Sequence, residues 1–172
     1  MMHKFLLLYS WFIYTIMFFF PDIPVLMRLR GFLYGLMMNK SGRNFQVAHD
    51  VILKSLEYIS VGDDVYIANM SIIIAGRSHI TLEDQVMIGP KCVLVDGNHG
   101  FYNQSYRFAK GSSAPIILKY GSWVAGNCTV LGGSILPKGS VLGANSLLNK
   151  PYKESNSIYG GLPAKHIKQI RQ

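Results

Sequence analysis

Residues 96–100 read Asp96-Gly97-Asn98-His99-Gly100, and they carry the plainest proton-transfer chemistry in the chain. A free imidazole titrates near neutrality, so His99 can take a proton from a hydroxyl group and return it. Glycines on both sides would let a ligand approach the backbone. The histidine stands at the base of an excursion, residues 101–115, that abandons the pattern governing the chain on either side. The excursion carries Phe101, Tyr102, Tyr106 and Phe108 with Asn103, Gln104, Arg107 and Lys110. Aromatic faces among amides and a guanidinium suit a saccharide, which offers flat apolar patches and hydroxyls. A loop packed on a neighbouring subunit has the same composition.

The elements that must position His99 are written in the spacing around it. From Leu118 to Leu148 every sixth residue is aliphatic: Leu118, Val124, Val130, Leu136, Leu142 and Leu148. Four residues after each of the first five comes a small one: Ser122, Cys128, Ser134, Ser140 and Ser146. Neither a helix nor an ordinary strand has a period of six, so this is an internal repeat. It predicts a chain wound round a triangular prism, with the aliphatic residue inside and the small one near a corner. Leu82, Ile88 and Leu94 continue the register upstream. Val61, Ile67 and Ile73 lie three residues out of phase, which predicts an irregular corner near residues 76–79. Residues 45–60 form a blurred first coil. The fold class is therefore all-β, a parallel β-helix of five or six coils over residues 45–151, with an excursion at 100–116.

Seventeen Lys and Arg against nine Asp and Glu give a net charge of +8, which favours anionic partners such as phosphates or acidic lipids. Nucleic acid is the partner least expected among anions, for there is no basic helix, zinc spacing or RNA-binding aromatic signature. Basic residues gather at the two ends of the chain. Cys92 and Cys128 fall on inward positions and read as small buried residues, consistent with a reducing compartment.

Residues 1–44 break the pattern. Residues 5–20 hold no charge and end at Pro21-Asp22-Ile23-Pro24. As a helix they would span about 24 Å, short of the roughly twenty residues of a full crossing. Residues 25–38 are a second apolar stretch that carries Arg28 and Arg30 and looks amphipathic. The two are expected to form a helical pair lying in or dipping into a membrane surface, with Tyr9, Trp11 and Tyr14 at the interface. The competing expectations are a true single span and a helix packed on the prism or in an oligomer interface. Residues 152–172 form a short C-terminal extension.

Several stretches, in order, resemble the hexapeptide-repeat acyltransferases, and most closely the sugar and polysaccharide O-acetyltransferases. They are Ile67-Ala68-Asn69, residues 96–100, Gly121-Ser122-Trp123-Val124-Ala125-Gly126, Leu142-Gly143-Ala144-Asn145-Ser146 and Gly160-Gly161-Leu162-Pro163-Ala164-Lys165. The resemblance implies a left-handed helix, acetyl-CoA as co-substrate, and a homotrimer with active sites at subunit interfaces. It implies His99 as general base and Asn69 as a catalytic partner holding the acceptor or the histidine. Trp123, Gly126, Ala144, Lys150 and Lys165 match the donor-binding positions: Trp123 beside the pantetheine arm, Gly126 and Ala144 through backbone groups, the lysines on the phosphates. Asp96, Asn98, Tyr102, Tyr106 and Arg107 are the expected acceptor contacts. Lys119-Tyr120 and Leu131-Gly132-Gly133 depart from the usual turns, which bears only on the choice of subfamily.

The expected activity is O-acetyl transfer to a sugar hydroxyl in a bacterial envelope polysaccharide or lipid-linked glycan, at the cytoplasmic face of the inner membrane. The alternatives are N-acylation of an amino sugar nucleotide, transfer to serine, or a non-catalytic scaffold. The long helical domain of serine acetyltransferases is missing from the pattern. No metal is expected, because a β-helical carbonic anhydrase would need three histidine ligands. Only His79 and His99 fall in the clear repeat.

Overall fold

The six-residue spacing becomes a three-sided coil. In the computed structural model, which describes residues 2–171, each turn of chain lays one short parallel strand on each side of a prism. Positions 1 and 172, the outer limits of the terminal segments, lie outside the described residues. Face one holds Lys40–Ser41, Ile59–Val61, Ile80–Leu82, Ile116–Leu118 and Ile135–Leu136. Face two holds Gln46–Val47, Tyr66–Ile67, Met87–Ile88, Trp123–Val124 and Val141–Leu142. Face three holds Ile52–Lys54, Ile72–Ile74, Val93–Val95, Thr129–Leu131 and Leu147–Leu148. The result is five complete coils.

Strands this short hold register through what they bury. Val61, Leu82, Leu118 and Leu136 stack inside face one. Leu53, Ile73, Leu94, Val130 and Leu148 do the same behind face three. All are at most 1% exposed, and each is worth roughly 1.5–3 kcal/mol of transfer free energy. The small residues sit buried at the corners, where Ser134 Oγ donates to the Leu148 carbonyl at 3.0 Å. Cys92 and Cys128 are buried free thiols, each donating to a backbone carbonyl at 3.0 Å. The phase slip after Ile73 is absorbed at residues 75–79, where the chain bends.

The coil starts ahead of the boundary expected at residue 45, with Lys40–Ser41 pairing against Ser60 and Val61. Its repeat is blurred because Ser41 stands where an aliphatic residue would, and helices cover that end instead. Helix α1 (Met2–Met17) lies against Ile52–Lys54 and the turn at Leu56–Tyr58. Helix α2 (Pro24–Gly35) lies against Gln46–Val47, so closely that a Cβ on Gly31 would overlap the Phe45 carbonyl. Ile13, Met17, Met27 and Tyr34 join the core.

Two expectations for this helical pair need correction. Arg30 is not a surface cation; it is 1% exposed. Its guanidinium meets the Asp22 carboxylate at 2.9 Å and the carbonyls of Met17, Phe20 and Val47 at 3.3, 2.6 and 2.9 Å. The end of α1 leaves carbonyls without helical partners, and the guanidinium's five donors satisfy them. Tyr9 likewise turns inward, donating to the Leu33 carbonyl at 2.6 Å. No helix among the described residues is long and apolar enough to cross a membrane.

At the other end, residues 152–171 are more than a tail. Ser157–Gly161 extends face two, and Ala164–Gln169 folds back on it as a hairpin. Tyr159 is buried there with its ring 4.3 Å from that of Tyr152, closing the prism.

Candidate functional site

Face three has two edges. The chain reaches its leading edge from face two and leaves its trailing edge for face one. The expected site residues divide between these edges.

The trailing edge carries the excursion. Gly97–Asn98 pairs antiparallel with Ser112–Ser113, forming a stem that places His99 just beyond it. A Cβ on Gly100 would overlap the Lys110 carbonyl, and one on Gly111 the Asn98 carbonyl. The expectation that the glycines admit a ligand is therefore corrected for Gly100, which lets the two limbs of the stem pass each other. Asp96 also departs from expectation. It is 1% exposed, and its carboxylate accepts from the backbone N–H groups of Gly76 and of Ser78, the latter at 3.0 Å. The carboxylate pins the bend at residues 75–79 under the excursion, while Asp96 still lines the pocket beside His99.

His99 is exposed. It lines a pocket of about 280 Å³ with Ile74, Arg77, Val95, Asn98 and Ser112. A more open recess joins it to Tyr106, Arg107 and Phe108. The aromatic residues of the excursion remain at the surface, with Tyr102 71% exposed. Phe101 and Tyr106 rings lie 4.9 Å apart, and the Arg107 guanidinium sits 5.5 Å from the Phe108 ring centre. Lys150 lies on this same edge two coils later, its Nζ 5.4 Å from the Tyr152 ring.

The leading edge collects Asn69, Gly126 and Ala144. These corners stack through backbone bonds, Lys91 N–H to Asn69 carbonyl at 2.9 Å and Asn145 N–H to Gly126 carbonyl at 3.0 Å. Packing does not demand a glycine at 126, since an added Cβ would meet only Pro90 at 3.6 Å. Trp123 projects from face two, 46% exposed, in register with Met87 and Val141. Lys165 is exposed on the hairpin opposite Gly160.

Asn69 belongs to a cluster that the spacing alone did not reveal. Its Nδ2 donates to Asp22 Oδ2 at 2.7 Å, and the same carboxylate meets the His49 backbone N–H and ring Nδ1, each at 2.8 Å. Burial pushes the Asp22 carboxyl up, but hydrogen bonds from His49 and Asn69 outweigh it and hold the group below its ordinary value. The Phe18 ring packs edge-on against His49 at 5.3 Å. These residues come from the helix connector, the first coil and the second coil. Only docking of the helices brings them together, so no local motif announces them.

A single chain does not unite His99 with Asn69. One side of the prism separates their edges, roughly 15–20 Å at about 3.3 Å per residue.

No protein-family model matches the chain. WbbJ of Escherichia coli K12, named for O-acetyl transfer in lipopolysaccharide biosynthesis, is 30% identical over 64% of this chain and 57% of its own length. The chain thus spans little more than half of that relative. Among solved structures, the hexapeptide-repeat acetyltransferase VCA0836 of Vibrio cholerae, complexed with acetyl-CoA, superposes with a TM-score of 0.82. The match covers 98% of this chain and 89% of that one at 19% identity. A maltose O-acetyltransferase of Clostridium difficile 630 gives 0.81 at 19% identity, covering 98% of this chain and 90% of its own. At such identities the superpositions speak for the fold. Joined to the repeat in the sequence and the three-sided coil, they show that the chain has the β-helical fold of the hexapeptide-repeat acetyltransferases, and it is similar in sequence to WbbJ over part of each chain.

Proposed function

We propose that the protein transfers an acetyl group from acetyl-CoA to a hydroxyl of a saccharide, with His99 as the general base. The observation that carries this reading is the division of the candidate residues between the two edges of one apolar face. The outer side of face three presents Ile72, Ile74, Val93, Val95, Leu131 and Leu147, all partly buried. Packing that side around a threefold axis sets the trailing edge of one subunit against the leading edge of the next. His99 and the excursion of one copy then face Asn69, Gly126 and Ala144 of another, and the homotrimer holds three such clefts.

In that cleft His99 takes the proton of an acceptor hydroxyl as its oxygen attacks the thioester carbon. The carbon–sulfur bond then breaks, and His99 returns the proton to the departing thiolate. The products are an acetyl ester and free CoA thiol, and no enzyme nucleophile is required. A backbone N–H near Gly126 or Ala144 steadies the developing oxyanion. The room left beside Gly126 suits a pantetheine arm laid against the backbone, with Trp123 flanking it. Lys150 and Lys165 supply point charges for the CoA phosphates. Asn69, held by Asp22, orients the acceptor, while Asn98, Tyr102, Tyr106 and Arg107 enclose the sugar from the excursion.

The acceptor is an envelope polysaccharide or its lipid-linked precursor in a bacterium, met at the cytoplasmic face of the inner membrane. Supporting this are the net charge of +8 and the apolar outer sides of both helices, where Phe5, Leu8, Trp11 and Phe12 of α1 and Val25 and Phe32 of α2 are more than half exposed. A helix apolar on every side needs cover, and an anionic lipid surface supplies it.

Release of free thiol from acetyl-CoA, measured with purified envelope glycans as acceptors, tests the chemistry. His99→Ala should slow release by roughly 100- to 10,000-fold with acetyl-CoA affinity kept. Parent-like turnover in that variant would remove His99 from the mechanism.

A further inference from the structure

An acceptor carried on a lipid needs a place for its hydrocarbon beside the sugar, and the following rests on the acetyl-transfer reading above. A groove of about 480 Å³ runs between α1 and the first strand of face three, lined by Leu7, Ser10, Trp11, Tyr14, Ile52 and Lys54. Its buried hydroxyl, on Ser10, is already satisfied by the Leu53 carbonyl, so the wall is effectively apolar. In a single chain the groove is open to solvent on one side and adjoins the exposed apolar row of α1, from Phe5 to Phe12 and Ile16.

One end of the groove lies close to the His99 pocket. Lys54, at its end, stands in register with Ile74, and Ile74 with Val95. Ile74 and Val95 both line the His99 pocket. Neighbouring strands lie about 4.8 Å apart, so the cationic end of the groove is one rung from the pocket. Arg77 lines the pocket on the same edge. Neither Lys54 nor Arg77 forms an ion pair among the described residues. Glu57, an acid of the same corner, is engaged by His3 at 2.6 Å. The sequence along this edge is apolar trough, two unpaired cations, polar pocket with an imidazole. Hydrocarbon, phosphate and sugar follow one another in the same order in a lipid-phosphate-linked saccharide.

We propose that this groove binds the hydrocarbon chain of such a carrier, with Lys54 and Arg77 holding its phosphate and the sugar delivered to His99. Lysine serves as a point charge and arginine as a fork on phosphate oxygens.

The chain has two tryptophans, so Trp123→Phe leaves Trp11, in the groove wall, as the sole tryptophan, which is excited selectively over the tyrosines. Farnesyl phosphate, titrated below its aggregation range, should shift Trp11 emission to the blue and saturate. Farnesol should bind at least tenfold more weakly. A Lys54→Ala/Arg77→Ala variant should bind the phosphate no better than the alcohol. Equal response to both probes, unmoved by those substitutions, would mean simple partitioning onto apolar surface and overturn the proposal, as would no response. Thermal stabilisation by acetyl-CoA, measured in parent protein, separates the two readings. Stabilisation without a Trp11 response rejects only the carrier groove. A specific Trp11 response without stabilisation rejects acetyl transfer and leaves a lipid-phosphate site.

Discussion

Asp22 shows how much a single side chain on a connector can organise. Its carboxylate joins Arg30, His49 and Asn69, three residues from three different elements. Because its value is lowered on folding, the folded state binds the proton less readily than the unfolded chain. The stabilisation is complete above the ordinary carboxylate range and is lost as pH falls through the folded value. Lowering the pH from about 6 to about 3 should therefore reduce the melting temperature of the parent more than that of Asp22→Asn, and equal losses would contradict the sign. Gly126 makes the complementary case. Its added Cβ meets nothing closer than 3.6 Å, so Gly126→Val should leave stability within about 0.5 kcal/mol while weakening acetyl-CoA binding at least tenfold. Unchanged affinity, read by calorimetry, would free that corner of the donor role. At this scale the sequence was a partial guide. His99 is identifiable by its place at a break in the repeat. The burial of Asp96 is not, because a carboxylate bound to backbone N–H groups of another coil leaves no trace in local spacing.

The helical pair is held by an interaction of mixed character. Arg30 is a buried cation whose donors close the end of α1 and reach the Val47 carbonyl of the first coil. Removing one partner of such a set leaves the others buried and unpaired. Arg30→Leu should cost about 3–5 kcal/mol, read as a fall in the denaturant midpoint, and a loss under about 1 kcal/mol would show the carbonyls to be hydrated instead. The apolar runs at residues 5–20 and 25–38 revealed that helices exist and where they stop, since Pro21 and Pro24 punctuate them. They could not reveal which face turns inward, because α1 is apolar on all sides. The six-residue repeat was far more legible. One aliphatic residue per face suffices to set the register of strands only two or three residues long. The first coil escaped the pattern where α2, rather than another coil, covers it.

For the whole molecule, the candidate site is divided in a single chain and, on the proposed reading, completed by a neighbour. His99, Asn98 and Lys150 share one edge of face three; Asn69, Gly126 and Ala144 share the other. That division was not readable from the spacing, which gives the order of coils but not how copies meet. A trimer in which both edges grip the donor should be stabilised by acetyl-CoA, and substitutions on either edge should weaken the effect. The decisive measurement is the thermal unfolding of the protein across an acetyl-CoA titration, with its mass followed by sedimentation. A saturable rise equivalent to about 2.7 kcal/mol at one hundred times the dissociation constant, reduced by both Gly126→Val and Lys150→Ala in a trimeric protein, is the expected result. No shift at millimolar acetyl-CoA, or a full shift in a monomer, would contradict an acetyl-CoA site built between two subunits.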